Sequence, residues 1–515
     1  MEELIVKFNS NIADAVYALG GKTELMTCDT AIVTLPDGSA GMLATLPQTE
    51  YYEYAEDIAP VSVTRTALSA SGISYANNTG LDGKGVIIGI ADSGIDLTHP
   101  EFIGSDNKSR ILFIYDTKTG MEYDNTEINR ALLSDRPYDI IPVRDTSGHG
   151  TAVSCIAAGN SGAAYAAGII AVKLGGRTTD ILRAVRYITD KGIQLGMPAA
   201  INISYGMNLG SHTGDSLFEK CLDDMCGIWK LSVSVAAGNE GGSGHHFSTI
   251  MKANETADAD FAAVFSFNEL FLDIWRDFSA ILEFELISPD GISSGTLRGD
   301  AERTLLFGKT AVTIYSRPVT HYSSLCRTLF RFSPGGAGTA GGIWKLRIKC
   351  LYALDGRIDI WLPTSEMTGN NASFLYPDDL FTLTVPAAVP KVITTAGYDH
   401  TTDSIAYFSG RGIREIAKPD IAAPAVGIIS ARAGGGYDSF SGTSMAAPFV
   451  CAAAALLMQY GIANGRDPFL YGEKLKAVLC LSARRKNRTY PDDSFGYGTL
   501  DLENAVKMLN NGGYP

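Results

Sequence analysis

The sequence predicts an α/β fold built on a parallel β-sheet that is covered by helices on both faces. Uninterrupted apolar runs, such as 85–92 and 166–174, alternate with helical patterns, such as the amphipathic stretch 178–192. Strands that are apolar on both faces are typical of buried parallel sheets. The 515 residues are 45% hydrophobic and 19% charged, which is enough apolar material for a large folded core.

The first 66 residues predict a separate small α+β unit. Residues 2–8 alternate like a strand, residues 11–21 have a helical pattern that stops at a glycine pair, and residues 30–36 predict a second strand. The polar stretch 51–72 predicts an extended linker. We place the unit at 1–66 and the start of the α/β domain at 67.

A β-rich segment interrupts the α/β pattern. From 254 to 385 the helical periodicity fades, and alternating strands are separated by Gly, Pro and Asp. This pattern is typical of an antiparallel β-sandwich. The α/β pattern resumes afterwards. We therefore predict one α/β domain in two parts, 67–253 and 386–515, with an inserted β-sandwich domain at 254–385.

Composition argues against several classes of function. The net charge is −14 and the pI is about 5.0, so a basic face for nucleic acid is not expected. The first residues lack a secretory signal pattern, which favours synthesis in the cytoplasm. The longest apolar run, 450–463, is shorter than the ~20 residues that span a bilayer. Eight scattered cysteines favour reduced thiols, and we expect no metal and no cofactor.

Two polar residues stand at the ends of predicted elements. Asp92 ends an apolar strand, where a buried carboxylate is costly without a partner and could orient a histidine. His149 lies between Gly148 and Gly150 before a helix of small residues. Such an imidazole can accept a proton from a hydroxyl and return it to a leaving amine. A loop-capping role for the aspartate and a packing role for the histidine are the alternatives.

Two further residues suggest an oxyanion site. Ser444, in the stretch SGTSMAAP, is expected at a helix N-terminus, with Pro448 in the first turn. Free N–H groups and the positive end of the helix dipole could stabilise an oxyanion there. Asn239 follows another apolar strand, and its amide could donate a second hydrogen bond. Helix capping by the serines and a turn at the asparagine are the alternatives.

The stretches DSGID, GHGTAVS, AAGNEG and SGTSMAAP occur in this order and resemble the motifs of the subtilisin family. The resemblance covers about 75–253 and 386–515. It implies that Ser444 is the nucleophile and that His149 is the general base and acid. In the same way Asp92 orients the imidazole, and Asn239 forms the oxyanion hole with the Ser444 N–H.

The same resemblance implies a substrate cleft. The segment 203–207 is similar to the strand that pairs with the substrate backbone in subtilases, by β-augmentation. Six residues are expected to line the cleft and its specificity pocket: Ser204, Tyr205, Gly206, Ala236, Ala237 and Gly238.

Longer stretches at 201–214, 234–246, 434–450 and 495–505 resemble the clostridial Csp germination proteases. This implies that 1–66 is a prodomain bound in the cleft and that the insertion is a jelly roll. Ser444 would then cut the chain between about Ala59 and Tyr75, with 63–71 as the expected window. The resemblance also implies that the substrate is the zymogen of a spore cortex-lytic hydrolase and that the protein is packaged in the spore.

Three other functions compete with this interpretation. A Csp-like subtilase could cut another protein substrate, or the chain could be a non-catalytic regulatory pseudoprotease. All four motif residues are present, which argues against the pseudoprotease. A carbohydrate-binding role for the insertion lacks a regular cluster of aromatic residues, so we expect the insertion to pack on the catalytic domain and stiffen it.

Overall fold

The structure is a computed structural model of the chain. It describes residues 2–25, 30–54, 63–263, 270–298, 302–320, 323–334, 340–368, 371–486 and 488–512. The chain divides into two compact units, Met1–Ser62 and Val63–Pro515.

The N-terminal unit is a four-stranded antiparallel sheet with a short helix. Its strands in spatial order are Lys22–Leu25, Thr30–Leu35, Glu2–Phe8 and Thr49–Tyr54, and its helices are Ala13–Ala18 and the 3-10 helix Ala40–Thr45. Alternate residues of the Glu2–Phe8 strand point to one face, so that Leu4 and Val6 are buried against Val16 and Leu43. The strands predicted at 2–8 and 30–36 are confirmed.

The extended linker predicted at 51–72 is wrong in part. The last strand of the first unit ends at Tyr54, and the second unit begins with the helix Val63–Ala70; residues 55–62 lie outside the described residues. Ala67 and Leu68 are buried in the core of the second unit, with Ile73 of the next helix, Ile73–Asn78. Burial of a few apolar residues against a core formed elsewhere in the chain suffices to stabilise a helix whose composition is polar.

The central sheet of the second unit is mainly parallel, as predicted. In spatial order its strands are Ser404–Ile405, Ile393–Asp399, Leu231–Ala236, Ala199–Ile203, Ile87–Asp92, Gly168–Lys173, Ile111–Asp116 and Glu122–Asp124, and Ile421–Pro424 pairs with Ile393–Asp399. The two end strands, Ser404–Ile405 and Glu122–Asp124, pair antiparallel.

Helices cover both faces of this sheet. Along the Ile87–Asp92 strand, Ile88 and Ile90 pack with one set of helices and Ile87 and Ala91 with the other, because successive side chains of a strand point to opposite faces. The first face carries His149–Ala158, Thr443–Met458 and Gly472–Ser482, and the second carries Thr178–Leu195 and Leu217–Met225. The remaining elements are the helices Asn125–Leu132, Pro137–Ile140 and Leu502–Asn510, the 3-10 turn Pro100–Phe102, and the hairpin Ile428–Ala431 with Tyr437–Phe440.

The helix Thr443–Met458 forms the centre of the first face. It continues into a π-helical turn, Gln459–Ala463, and a run of four alanines at 452–455 lets neighbouring elements approach closely. Among the described residues, the segment Thr443–Ala463 is long and apolar enough to cross a membrane. The prediction that the apolar run is too short to span a bilayer is therefore wrong. However, 94% of the most apolar part of this segment is buried inside the protein, as in a core helix.

The inserted segment forms two antiparallel sheets around one core. The first sheet has the order His246–Ile250, Arg357–Trp361, Leu270–Asp277, Leu325–Pro334, Thr310–Arg317 and Arg303–Phe307, and the second has the order Leu297–Arg298, Ile281–Ile287, Gly342–Tyr352, Thr256–Ala263 and Ala372–Phe374. Phe332 and Trp344, one from each sheet, pack edge to face with ring centroids 5.2 Å apart. The jelly-roll connectivity and the domain bounds stay predictions.

Buried polar contacts attach the insertion to the segment that follows the central strand Ala199–Ile203. The carboxylate of Asp273, fully buried, accepts the Gly210 N–H at 2.9 Å and forms an ion pair with Arg327. The amide of Asn208 donates to the Leu362 carbonyl at 3.0 Å. Bonds of this kind fix the two parts together and favour a stiffening role for the insertion.

Candidate active site

A buried carboxylate and a histidine meet at the end of the central strand. Asp92 is the last residue of Ile87–Asp92, is fully buried, and places Oδ1 2.7 Å from Nδ1 of His149. His149 begins the helix His149–Ala158, and a third of its side chain is exposed. Burial opposes a charged imidazolium, but the Asp92 carboxylate, with smaller contributions from Asp145 and Glu366, outweighs this effect and raises the pKa of His149 above its usual value.

A network of hydrogen bonds holds the first turn of the histidine helix. The Gly150 N–H donates to the Ser93 hydroxyl at 2.9 Å, and that hydroxyl donates to Asp145 at 2.8 Å. The other oxygen of Asp145 accepts the Thr151 N–H at 2.8 Å. A side chain at position 150 would collide with the Gly94 carbonyl. The second glycine of GHG is therefore needed for the close approach of helix and strand.

Ser444 is the second residue of the helix Thr443–Met458 and is half-buried. The helix starts two residues earlier than expected, so Pro448 is its sixth residue and lies in the interior, not in the first turn. A proline there cannot donate to the Ser444 carbonyl four residues before it. The hydroxyl of Ser204 donates to that carbonyl instead, at 3.2 Å.

The side chain of Asn239 is oriented by the same helix. Asn239 lies three residues beyond the strand Leu231–Ala236, and its Oδ1 accepts both the N–H and the hydroxyl of Thr443, at 2.9 and 3.1 Å. A Cβ atom placed on Gly442 would lie 3.5 Å from Asn239 Nδ2 and 3.8 Å from the Ser444 nitrogen. The Asn239 amide nitrogen and the Ser444 backbone nitrogen therefore lie next to the same small space.

Ser204, Tyr205 and Gly206 follow directly after the central strand Ala199–Ile203. Tyr205 is 38% exposed, and its ring lies edge-on to the His149 ring with centroids 6.3 Å apart. Any side chain at position 206 would collide with the Thr384 hydroxyl. The structure therefore places Tyr205 beside His149, Ser204 against the Ser444 carbonyl and Gly206 against Thr384.

The other three predicted cleft residues are closer to the core. Ala236 and Ala237 are buried, and the Ala237 N–H and carbonyl bond to Thr395 and Thr384. Gly238 has a positive φ of 92° and leaves no room for a Cβ atom beside Thr384. These residues form a rigid wall, and the side chain of Ala237 is not available to a substrate.

Comparison with known proteins identifies the family of the chain. The model of the subtilase family matches residues 83–266 and 368–498, which together make up more than half of the chain. The chain belongs to the subtilase family. The solved structure of the Clostridium perfringens CspB protease is 35% identical in sequence and superposes with a TM-score of 0.82. That similarity covers 86% of this subtilase and 99% of the CspB chain.

Curated relatives match over shorter parts of their length. The serine protease AprX of Bacillus subtilis is 32% identical over 150 residues, which are 25% of this chain and 32% of AprX. A PII-type proteinase of Lacticaseibacillus paracasei is 24% identical over 511 residues, covering 83% of this chain and 26% of that protein. The chain thus spans about a third or less of the curated relatives it matches here.

Sequence reasoning missed several residues that complete the site of this subtilase. Ser93, Asp145 and Thr443 hold the histidine helix and the asparagine, and they lie within or beside the recognised motifs, where their hydroxyl and carboxyl groups were a usable signal. Glu366 gave no such signal, because it comes from the inserted segment. Its Oε1 lies 3.5 Å from Asn239 Nδ2.

The described residues contain neither a candidate metal site nor a disulfide. Among them, no three His, Cys, Asp or Glu side chains are grouped so that they could hold a metal ion. The cysteines there are all free and, apart from the half-buried Cys221, they are buried.

Proposed function

We propose that this subtilase is a serine endopeptidase that uses Ser444, His149 and Asp92. The observation that carries the proposal is the 2.7 Å contact between the buried Asp92 and His149. That contact holds the imidazole with Nδ1 toward the carboxylate, so that Nε2 can accept a proton. Such an Asp–His pair activates a nucleophile by accepting its proton. Ser444 lies at a helix N-terminus on the same face of the sheet.

In the proposed reaction the Ser444 oxygen attacks the carbonyl carbon of the scissile bond while His149 takes its proton. The C–N bond then breaks, and His149 gives the proton to the departing amine. Water then attacks the acyl-enzyme while His149 takes its proton. The ester bond to Ser444 breaks, His149 returns the proton to the Ser444 oxygen, and the carboxylic acid product is released. Asp92 stabilises the imidazolium in both stages, and the Asn239 amide and Ser444 N–H stabilise the oxyanion.

A fluorophosphonate probe tests the assignment of the nucleophile directly. We expect the probe to label the wild-type protein and to fail with Ser444→Ala, because the probe needs an activated serine. A wild-type protein that is folded and remains unlabelled would favour the pseudoprotease instead.

We expect Asn239→Ala to lower kcat about 10²- to 10³-fold, a magnitude taken over from the same donor in subtilisin. The change removes a hydrogen bond that strengthens as charge develops on the oxyanion. The measurement is steady-state hydrolysis of a peptide substrate, with thermal unfolding to check that the lost Thr443 contacts leave the fold intact. Asn464→Ala, at an exposed position, is the control and should leave kcat unchanged.

The substrate is proposed to bind as an extended peptide along Ser204–Gly206. The next residue, Met207, already pairs antiparallel with Val385 through backbone bonds of 3.1 and 2.9 Å. This pairing fixes the segment in an extended form. The exposed ring of Tyr205 supports an apolar contact with the substrate near the catalytic histidine.

We also propose that the N-terminal unit is a prodomain that occupies the cleft and is released by Ser444. The expected cleavage window 63–71 now falls on the helix Val63–Ala70, in which Ala67 and Leu68 are buried. A protease needs an extended chain in its cleft, so we propose that the cut lies before this helix, in the part of the range from Ala59 to Tyr75 that precedes Val63.

Activation of a spore cortex-lytic zymogen is the physiological role that we propose. Support comes from the similarity to the CspB protease over nearly the whole of that chain. Packaging in the spore would follow from such a role. Incubation with a purified cortex-lytic zymogen should give one defined cut; an active enzyme that leaves the zymogen intact would favour another protein substrate.

A further inference from the structure

A carboxylate from the inserted segment lies at the proposed oxyanion site. Glu366 belongs to the short helix Ser365–Thr368, which follows the last long strand of the insertion, Arg357–Trp361. Its Oε1 is 3.5 Å from the Nδ2 atom of Asn239, and the side chain faces solvent. The insertion therefore contributes a charged group to the catalytic centre.

This helix is firmly attached to the turn that carries Asn239. The N–H and the hydroxyl of Ser365 donate to the Glu240 carboxylate at 3.0 and 3.3 Å. Glu240 is buried and is bonded to His245 at 2.7 Å. Thr364, just before the helix, is also buried and accepts the N–H of Thr368. Glu366 is thus held in place by a network that does not include the catalytic residues.

The charge of Glu366 acts across the cleft. Although Glu366 as a whole is exposed, surrounding protein atoms partly desolvate its carboxylate. This desolvation and repulsion from Glu240 raise the pKa of Glu366, while the Asn239 hydrogen bond and His149 act in the opposite direction. The same carboxylate contributes to the raised pKa values of His149 and Tyr205. In the part of the chain that the structure describes, no lysine or arginine forms an ion pair with Glu366.

We propose that Glu366 is a specificity-determining residue that selects a lysine or arginine side chain next to the scissile bond. The inference rests on the proposed peptidase function. A carboxylate beside the oxyanion site repels the developing negative charge, and it also occupies the Asn239 amide. A cationic substrate side chain removes both obstacles, because it pairs with the carboxylate and draws it away from the amide donor. An uncharged side chain of the same length leaves both in place.

The test uses the full-length protein and an internally quenched peptide that the wild-type enzyme cleaves. Lysine and its uncharged isostere norleucine are placed in turn at the two positions on each side of the scissile bond. We expect lysine to raise kcat/KM at one of these positions by about tenfold, the scale of one charge-assisted hydrogen bond. Glu366→Gln should abolish the preference for lysine over norleucine in kcat/KM, and Glu366→Lys should replace it by a preference for glutamate at the same position.

The matched control is Glu302→Gln, which removes an exposed carboxylate from the same inserted segment and should keep the lysine preference. Absence of any lysine preference in the wild type would overturn the proposal, as would a preference that survives Glu366→Gln. A Glu366→Gln enzyme that is faster on all substrates alike would also overturn it and would indicate an inhibitory contact. Fluorophosphonate labelling of each variant separates these outcomes from a failure of the peptidase assignment.

Discussion

Replacing Ser444 by alanine should lower kcat about 10⁶-fold, a magnitude taken over from loss of the nucleophile in subtilisin. The reason is that the hydroxyl is the only group of the proposed site that forms a covalent bond with the substrate. The variant should still hydrolyse the peptide faster than the uncatalysed reaction in water, because the Asn239 amide remains to stabilise an oxyanion. Single-turnover and steady-state hydrolysis of a quenched peptide provide the measurement.

The same variant tests self-processing. Wild-type protein should separate into an N-terminal fragment that ends before Val63 and a large remainder, whereas Ser444→Ala should stay intact. Ser439→Ala is the matched control, since that serine is exposed on the neighbouring strand Tyr437–Phe440. Equal processing in wild type and Ser444→Ala would assign the cut to another protease, and an intact wild type would contradict self-processing.

Asp92→Asn is expected to lower kcat about 10⁴-fold, the scale known for the same change in serine proteases. The buried carboxylate holds His149 by a 2.7 Å contact, and an amide there can orient the ring in the wrong tautomer. Rates are measured near neutral pH with saturating peptide. Asp106→Asn, which removes an exposed loop carboxylate, is the control and should retain full activity.

The pH profile provides an independent readout for Asp92. His149 must be neutral to accept the serine proton, so kcat/KM falls as the pH drops through the pKa of His149. Because Asp92 raises that pKa, the acid limb of the wild type should lie above the value of an unperturbed histidine, ~6.5. In Asp92→Asn the limb should move to lower pH. An unmoved limb would show that another group controls it.

The fold was predictable from sequence wherever local patterns dictate structure. Apolar strands such as Ile87–Asp92 and Ala199–Ile203 are recognisable because both of their faces are buried. The linker prediction at 51–72 was wrong at 63–70, because the helix Val63–Ala70 is stabilised by burial of Ala67 and Leu68 in a core formed by distant residues. Tertiary packing of this kind overrides local composition.

By itself, the sequence determined the α/β architecture and the order of the four motifs, because local residue patterns indicate where strands and helices begin and end. It also identified four candidate site residues, Asp92, His149, Asn239 and Ser444. Only the tertiary structure decided how they are held. Ser204 replaces the hydrogen bond that Pro448 cannot make, Thr443 orients Asn239, and Glu366 reaches the proposed oxyanion site. All three contacts join residues more than a hundred positions apart, and such proximity is set by folding, not by neighbouring sequence.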